Sequence, residues 1–152
     1  MKTIQQIAAQ VPVFLHNWKN KFQLVADFEQ IYMSESDFNA QENPWPNNLE
    51  HWQDMKGRML KALKEYETKN ILFASYGQDN YLGDAFVLFE EGGVLYEVNG
   101  SHCSCYGLEG QFSAEETSLE AIAHRLKEGH LGLCGYADNE FKKELEVFIG
   151  LN

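Results

Sequence analysis

Residues 71–99 read ILFASYGQDNYLGDAFVLFEEGGVLYEVN, three apolar runs broken by short polar connections. Ile71–Tyr76, Gly83–Phe89 and Val94–Asn99 are of strand length and rich in β-branched and aromatic side chains, and Glu90-Glu91-Gly92-Gly93 is a turn signal between the last two. Connections this short join antiparallel neighbours, because a parallel crossover takes about a dozen residues or more. An antiparallel β-meander of three to four strands is therefore expected. In the third run Val94, Tyr96 and Val98 alternate against Leu95, Glu97 and Asn99, whereas Ala85–Phe89 is apolar on both faces. That second run should be central and covered on both sides. Leu108–Phe112 is a candidate fourth strand.

Helical spacing flanks the meander. Thr3 with Gln6 is a capping-box candidate ahead of Ile4, Ile7 and Ala8, and Pro12 either ends that helix or opens the next. Phe14, Leu15, Trp18, Phe22, Val25, Phe28, Ile31 and Tyr32 recur at steps of three and four, which predicts a second helix. Periodicity stops between Ser34 and Asn48, where Asn43-Pro44-Trp45-Pro46-Asn47 reads as a loop. Asn47 with Glu50 is expected to cap a helix burying Leu49, Trp52, Met55, Met59, Leu60, Leu63 and Tyr66. After the meander, Thr117 with Glu120 opens a helix carrying Leu119, Ile122, Ala123 and Leu126 up to Gly129, and Asp138 caps a last one carrying Phe141, Leu145, Phe148 and Ile149. The expectation is one α+β domain over residues 1–152, with N-terminal helices, the meander and C-terminal helices.

Composition excludes several classes. With 44% hydrophobic and 23% charged residues the chain is ordinary globular material. Its longest apolar runs, Val11–Leu15 and Ala85–Phe89, are far shorter than the ~20 residues of a membrane helix. MKTIQQIAAQ carries one lysine and no apolar stretch behind it, so no secretory signal is read and a soluble, cytoplasmic protein is expected. Twelve Lys and Arg against 23 Asp and Glu give a formal net charge of −11. The two arginines, Arg58 and Arg125, lie far apart, which disfavours direct nucleic-acid binding. Such a charge keeps a protein soluble, and it also suits a surface that competes with nucleic acid for a basic protein partner. Cys103, Cys105 and Cys134 make an odd count, read as reduced thiols.

The richest chemistry lies in Ser101-His102-Cys103-Ser104-Cys105-Tyr106-Gly107-Leu108-Glu109-Gly110-Gln111. Together with Ala74-Ser75-Tyr76-Gly77 and Gly83–Phe89 it resembles a family of small phage and prophage proteins, over roughly residues 71–127. The resemblance implies a phage setting and assigns no catalytic residue. By analogy with other phage accessory proteins it suggests one that disables a host protein.

Three readings of the segment compete. His102, Cys103 and Cys105, joined by His124, His130 or Cys134, have the donor types for tetrahedral zinc, although C-x-C is an unusual spacing. Alternatively a cysteine nucleophile is activated by His102, itself oriented by Glu109. In an extended chain, however, His102 and Cys103 project to opposite faces, and an acidic chain does not favour a thiolate. We adopt the third reading, in which the thiols are small buried hydrophobes, the glycines supply turns and His102 hydrogen-bonds backbone. No phosphate-binding glycine loop, nucleophile elbow or H-E-x-x-H motif is present. No cofactor is assigned, with zinc as the alternative. Trp45, held between prolines, is a candidate contact residue, unless it folds back onto the domain. The acidic pairs Glu90-Glu91 and Glu115-Glu116 complete a candidate partner-binding set. The functional expectation is a small acidic phage-type protein that binds and inhibits a basic host protein, a nucleic-acid-handling or defence target (anti-CRISPR-like). The alternative is a zinc protein or thiol-dependent enzyme built on His102, Cys103 and Cys105.

Overall fold

A computed structural model describes residues 1–103, 106–134 and 137–151. Among them the order is α1 (Ile4–Ala8), β1 (Val13–His16), α2 (Lys21–Phe28), α3 (Glu35–Asn39), α4 (Leu49–Glu65), β2 (Asn70–Asp79), β3 (Leu82–Glu91), β4 (Val94–His102), β5 (Glu115–Glu116), α5 (Leu119–Glu128) and α6 (Lys142–Ile149). The fold is α+β. The strands form one sheet in the order β1-β2-β3-β4-β5, antiparallel except for the parallel β1–β2 pair.

β3 is central, as its two apolar faces require. Ala85, Val87 and Phe89 pack with Trp18, Phe22, Phe28, Met55 and Met59 on the α2/α4 side. Phe86 and Leu88 pack with Ile122, Leu126, Leu145 and Phe148 on the α5/α6 side. Each such buried side chain stabilises the fold by roughly 1.5–3 kcal/mol, so the two-sided burial of this strand is a principal source of stability. A register shift between Ile71 and Phe73 breaks the alternation of β2 and sends both Leu72 and Phe73 to the α5/α6 side.

The N-terminal third departs from its helical periodicity. Val13–His16 is a strand paired in parallel with Phe73–Tyr76, and α2 starts only after Asn20, whose side chain caps it by accepting from Gln23 N. The short apolar run Val13–Leu15 leads into a helical stripe in local spacing, whereas a partner 60 residues away decides its conformation. Ser34 caps a short helix, α3, where no periodicity was read. Leu49 and Leu60 of α4 are exposed, and its N-cap is Asn48 without a side-chain cap. Ser118 rather than Thr117 caps α5 by accepting from Ala121 N, and Gly129 closes it in the left-handed conformation. The residue capping α6 is Phe141, not Asp138, which adopts a left-handed φ of 50°. Leu108–Phe112 forms no strand; the extra strands are β1 and the two-residue β5.

Candidate functional site

The chemistry-bearing segment leaves the sheet at the end opposite the β3–β4 turn. β4 continues to His102, with Gly83 opposite His102 and Gly77 opposite Asp84. A Cβ at position 83 would stand 2.1 Å from His102 Nε2, so glycine there is what lets the imidazole lie on the sheet. On the other face a Cβ on Gly77 would stand 2.4 Å from the backbone oxygen of Asp138, so that glycine admits the 137–139 segment.

Gln111 explains why Leu108–Phe112 needs no ladder of its own. Its side-chain carbonyl accepts from Ser101 N (2.8 Å), and its amide donates to Ser101 O (2.7 Å) and Gly107 O (2.8 Å). One side chain thus occupies the backbone donor and acceptor that a strand would have paired. Leu108 is buried beneath it, and Glu109 folds its carboxylate back to accept from Gly107 N (3.1 Å).

Between this loop and α2 lies a cavity of about 260 Å³ lined by Asp27, Tyr32, Tyr76, Gln78, His102, Tyr106 and Glu109, among others. Its polar groups are ordered by one amide. Gln78 Oε1 accepts from Asn17 Nδ2 (2.7 Å), which leaves Gln78 Nε2 to donate to Tyr76 Oη (2.9 Å) and His102 Nε2 (2.9 Å). His102 Nε2 is then an acceptor, and Nδ1 carries the proton it donates to Cys103 O (3.2 Å). Burial, with Asp27 and Glu109 nearby, pushes the Tyr76 hydroxyl well above its ordinary pKa, so it stays protonated. Asp27 Oδ2 accepts from Trp18 Nε1 (2.7 Å). Desolvation of the carboxyl raises the Asp27 pKa, opposed by that hydrogen bond and by the electrostatic influence of His102. The residue as a whole is exposed at the rim, which limits the effect to a modest one.

The imidazole's nitrogens face Gln78 and a backbone carbonyl. Among the described residues no group of three His, Cys, Asp or Glu side chains is placed to hold a metal. Cys105 lies outside the described residues, and Cys103 is half-buried, bridging to Tyr106. Cys134 and His130 line a separate hollow with Asp84 and Asn99 on the α5/α6 side, and His124 is exposed on α5. The sheet therefore stands between them and His102. In that hollow burial raises the Asp84 pKa, opposed by hydrogen bonds from Asn139 (Nδ2 to Oδ2, 3.1 Å) and Cys134.

Trp45 folds back. It is half-buried against the α2/α4 cluster, donates from Nε1 to Asp37 Oδ2 (2.9 Å) and lies 5.3 Å from the His51 ring. Asn43 fixes its backbone from both sides, accepting from Trp45 N and donating to Trp45 O (both 2.9 Å). The acidic pairs converge instead. Glu90 and Glu91 end β3, and Glu116 and Glu115 lie opposite Tyr96 and Glu97, so both pairs flank the start of β4. Pairing puts Glu91 and Glu116 on the α2/α4 face and Glu90 and Glu115 on the other. Glu90 accepts from Gly93 N (2.8 Å) and Glu91 meets Lys69 (3.7 Å), whereas Glu115 and Glu116 are exposed. Among the described residues ion pairs number three, Lys69–Glu91, Arg125–Glu97 and Lys142–Glu146, so most of the excess carboxylates are uncompensated.

Sequence reasoning missed Asn17, Asp27, Tyr76 and Gln78. The available signal was an acid, Asp27, set directly against the apolar stripe of Phe22, Val25 and Phe28. Comparison of the chain with protein-family models, with curated proteins and with solved structures gives no match. Among the described residues no helix is long and apolar enough to cross a membrane.

Proposed function

We propose that the protein is a small acidic accessory protein, of the phage type its central segment resembles, that binds a host protein through the glutamate-bearing end of its sheet. The mode is competition with nucleic acid for a basic surface, which makes nucleic-acid-handling and defence proteins the natural targets. The observation that carries this reading is the convergence of Glu90-Glu91 with Glu115-Glu116 around the start of β4, from positions 24 residues apart in sequence. Both arginines are engaged within the chain, Arg58 with Glu29 O (3.4 Å) and Arg125 with Glu97, so the protein offers little of its own to a phosphate backbone.

Association steered by this charge falls steeply as salt rises. The test is capture from host lysate by wild-type protein and by Glu115→Lys/Glu116→Lys, followed by association rates of the captured protein at low and high salt. Exposed substitutions on a two-residue strand change stability within about 0.5 kcal/mol, so the variant remains folded. The expected result is a basic protein held by wild type and lost or slowed at least about tenfold in the variant. Equal capture by both, or association indifferent to salt, contradicts the reading.

A further inference from the structure

The cavity beside His102 is distinct from the glutamate-bearing end, since Val94 and His102 stand eight residues apart along β4, roughly 26 Å of strand. Its charge and shape are specific. The lining carries two carboxylates, Asp27 and Glu109, three tyrosine rings, and neither lysine nor arginine. Its imidazole is an acceptor at Nε2 and is committed at Nδ1. Anionic ligands meet repulsion and no counter-charge there. Two of the rings, Tyr32 and Tyr106, are 77% and 52% exposed at the mouth, large aromatic surfaces that the fold itself does not cover. Asp27 gives one oxygen to Trp18, and partial desolvation of its carboxyl penalises the bare anion, a penalty that a bound cation relieves.

From this lining we infer that the cavity binds a guanidinium group, with the Asp27 carboxylate as counter-ion and the tyrosine rings as stacking faces. A planar guanidinium suits it better than an ammonium. It stacks on aromatic faces, directs N–H groups in a fixed fork at a carboxylate, and is less strongly hydrated, so it enters a partly enclosed site at lower cost. Tyr76, protonated and already accepting from Gln78, closes the floor. The guanidinium comes either from a free small molecule or from an arginine side chain of a protein. The inference stands apart from the proposed function, because it uses none of the four glutamates.

Calorimetric and NMR titration with N-acetylarginine amide, the isosteric neutral N-acetylcitrulline amide, free arginine and the peptide Gly-Arg-Gly tests it. Saturable binding of the arginine probes with shifts confined to Tyr32, Tyr76, His102 and Tyr106 is expected, with none for citrulline. Asp27→Asn, which keeps an acceptor for Trp18, should weaken binding at least about tenfold. Tyr32→Ala and Tyr106→Ala, both at exposed positions, should each weaken it roughly twofold to fivefold. Tighter binding of the peptide assigns the group to a protein, and tighter binding of free arginine to a small molecule. No saturable binding of any arginine probe, equal binding of citrulline, or affinity unchanged in all three variants overturns the inference.

Discussion

The two ends of the β3–β4 pair are built by different means. At one, β3 passes into β4 through Gly92 and Gly93, both with positive φ (61° and 83°), and Glu90 caps the turn by accepting from Gly93 N. The turn itself is closed by contacts within a few residues, and Lys69 and the short β5 only flank it. At the other end the contacts are remote. Gly77 receives the 137–139 backbone, Ser75 donates to Asn139, Gln78 bonds Asn17, and Gly83 lies under His102. The first end stands on its own turn chemistry, whereas the second exists only once the whole chain has assembled. The cavity sits at the assembled end and the glutamates at the local one.

Substitutions at the glycines break this comparison most directly. Gly77→Ala is expected to cost most, about 2–3 kcal/mol in urea unfolding, because its Cβ would stand 2.4–2.7 Å from backbone atoms that cannot move independently. Gly93→Ala meets open space, so its cost is backbone strain alone, about 1 kcal/mol by the same measurement. If the second loss exceeds the first, the assembled end is not the more demanding of the two.

Asp84 sharpens the contrast through pH. Its folded-state pKa is raised, chiefly by burial, so the folded protein holds the proton more tightly than the unfolded chain does. Its ionisation therefore opposes folding, with a penalty absent below the unfolded value near 3.9 and fully developed above the raised folded one. Asp84→Asn, which leaves Asn139 an acceptor, should be the more stable protein at neutral pH by about 1 kcal/mol or less, and the two unfolding curves should converge as pH falls below about 4. A variant less stable at neutral pH would show that the ionised carboxylate is favoured in the fold. The smallest effect is expected from Gly83→Ala. Its Cβ would stand 2.1 Å from His102 Nε2 and displace the ring from Gln78, a loss of about 1 kcal/mol. The advantage of alanine over glycine within a strand largely offsets that loss, so net stability should stay within about 0.5 kcal/mol. The His102 imidazole resonances should shift nonetheless, and their constancy would deny the close packing.

Legibility in the sequence follows the same division. The meander, the Gly92-Gly93 turn and the central place of β3 were readable because they rest on period-two patterning and turn residues. β1 was not, since Phe14 and Leu15 continue the three-and-four spacing of Trp18, Phe22 and Val25, whereas their actual partner is β2. Leu108–Phe112 has strand composition, yet the Gln111 amide takes the pairing positions on Ser101, a substitution of side chain for backbone that no periodicity reveals. The prominence of the 101–111 segment was visible at once. Its companions Asp27, Tyr76, Gln78 and Asn17 were not, because they reach it through tertiary contact from two other elements and a loop.

His102 is a fixed member of a hydrogen-bonded platform, with Nε2 on the Gln78 amide and Nδ1 on Cys103 O. Nitrogen-15 NMR of its imidazole at neutral pH reads this directly. The predicted spectrum places the proton of the neutral tautomer on Nδ1, with Nε2 as the acceptor, and shows no change on adding one equivalent of zinc. A ring protonated at Nε2, or a zinc-dependent shift of either nitrogen that saturates at one equivalent, would contradict it.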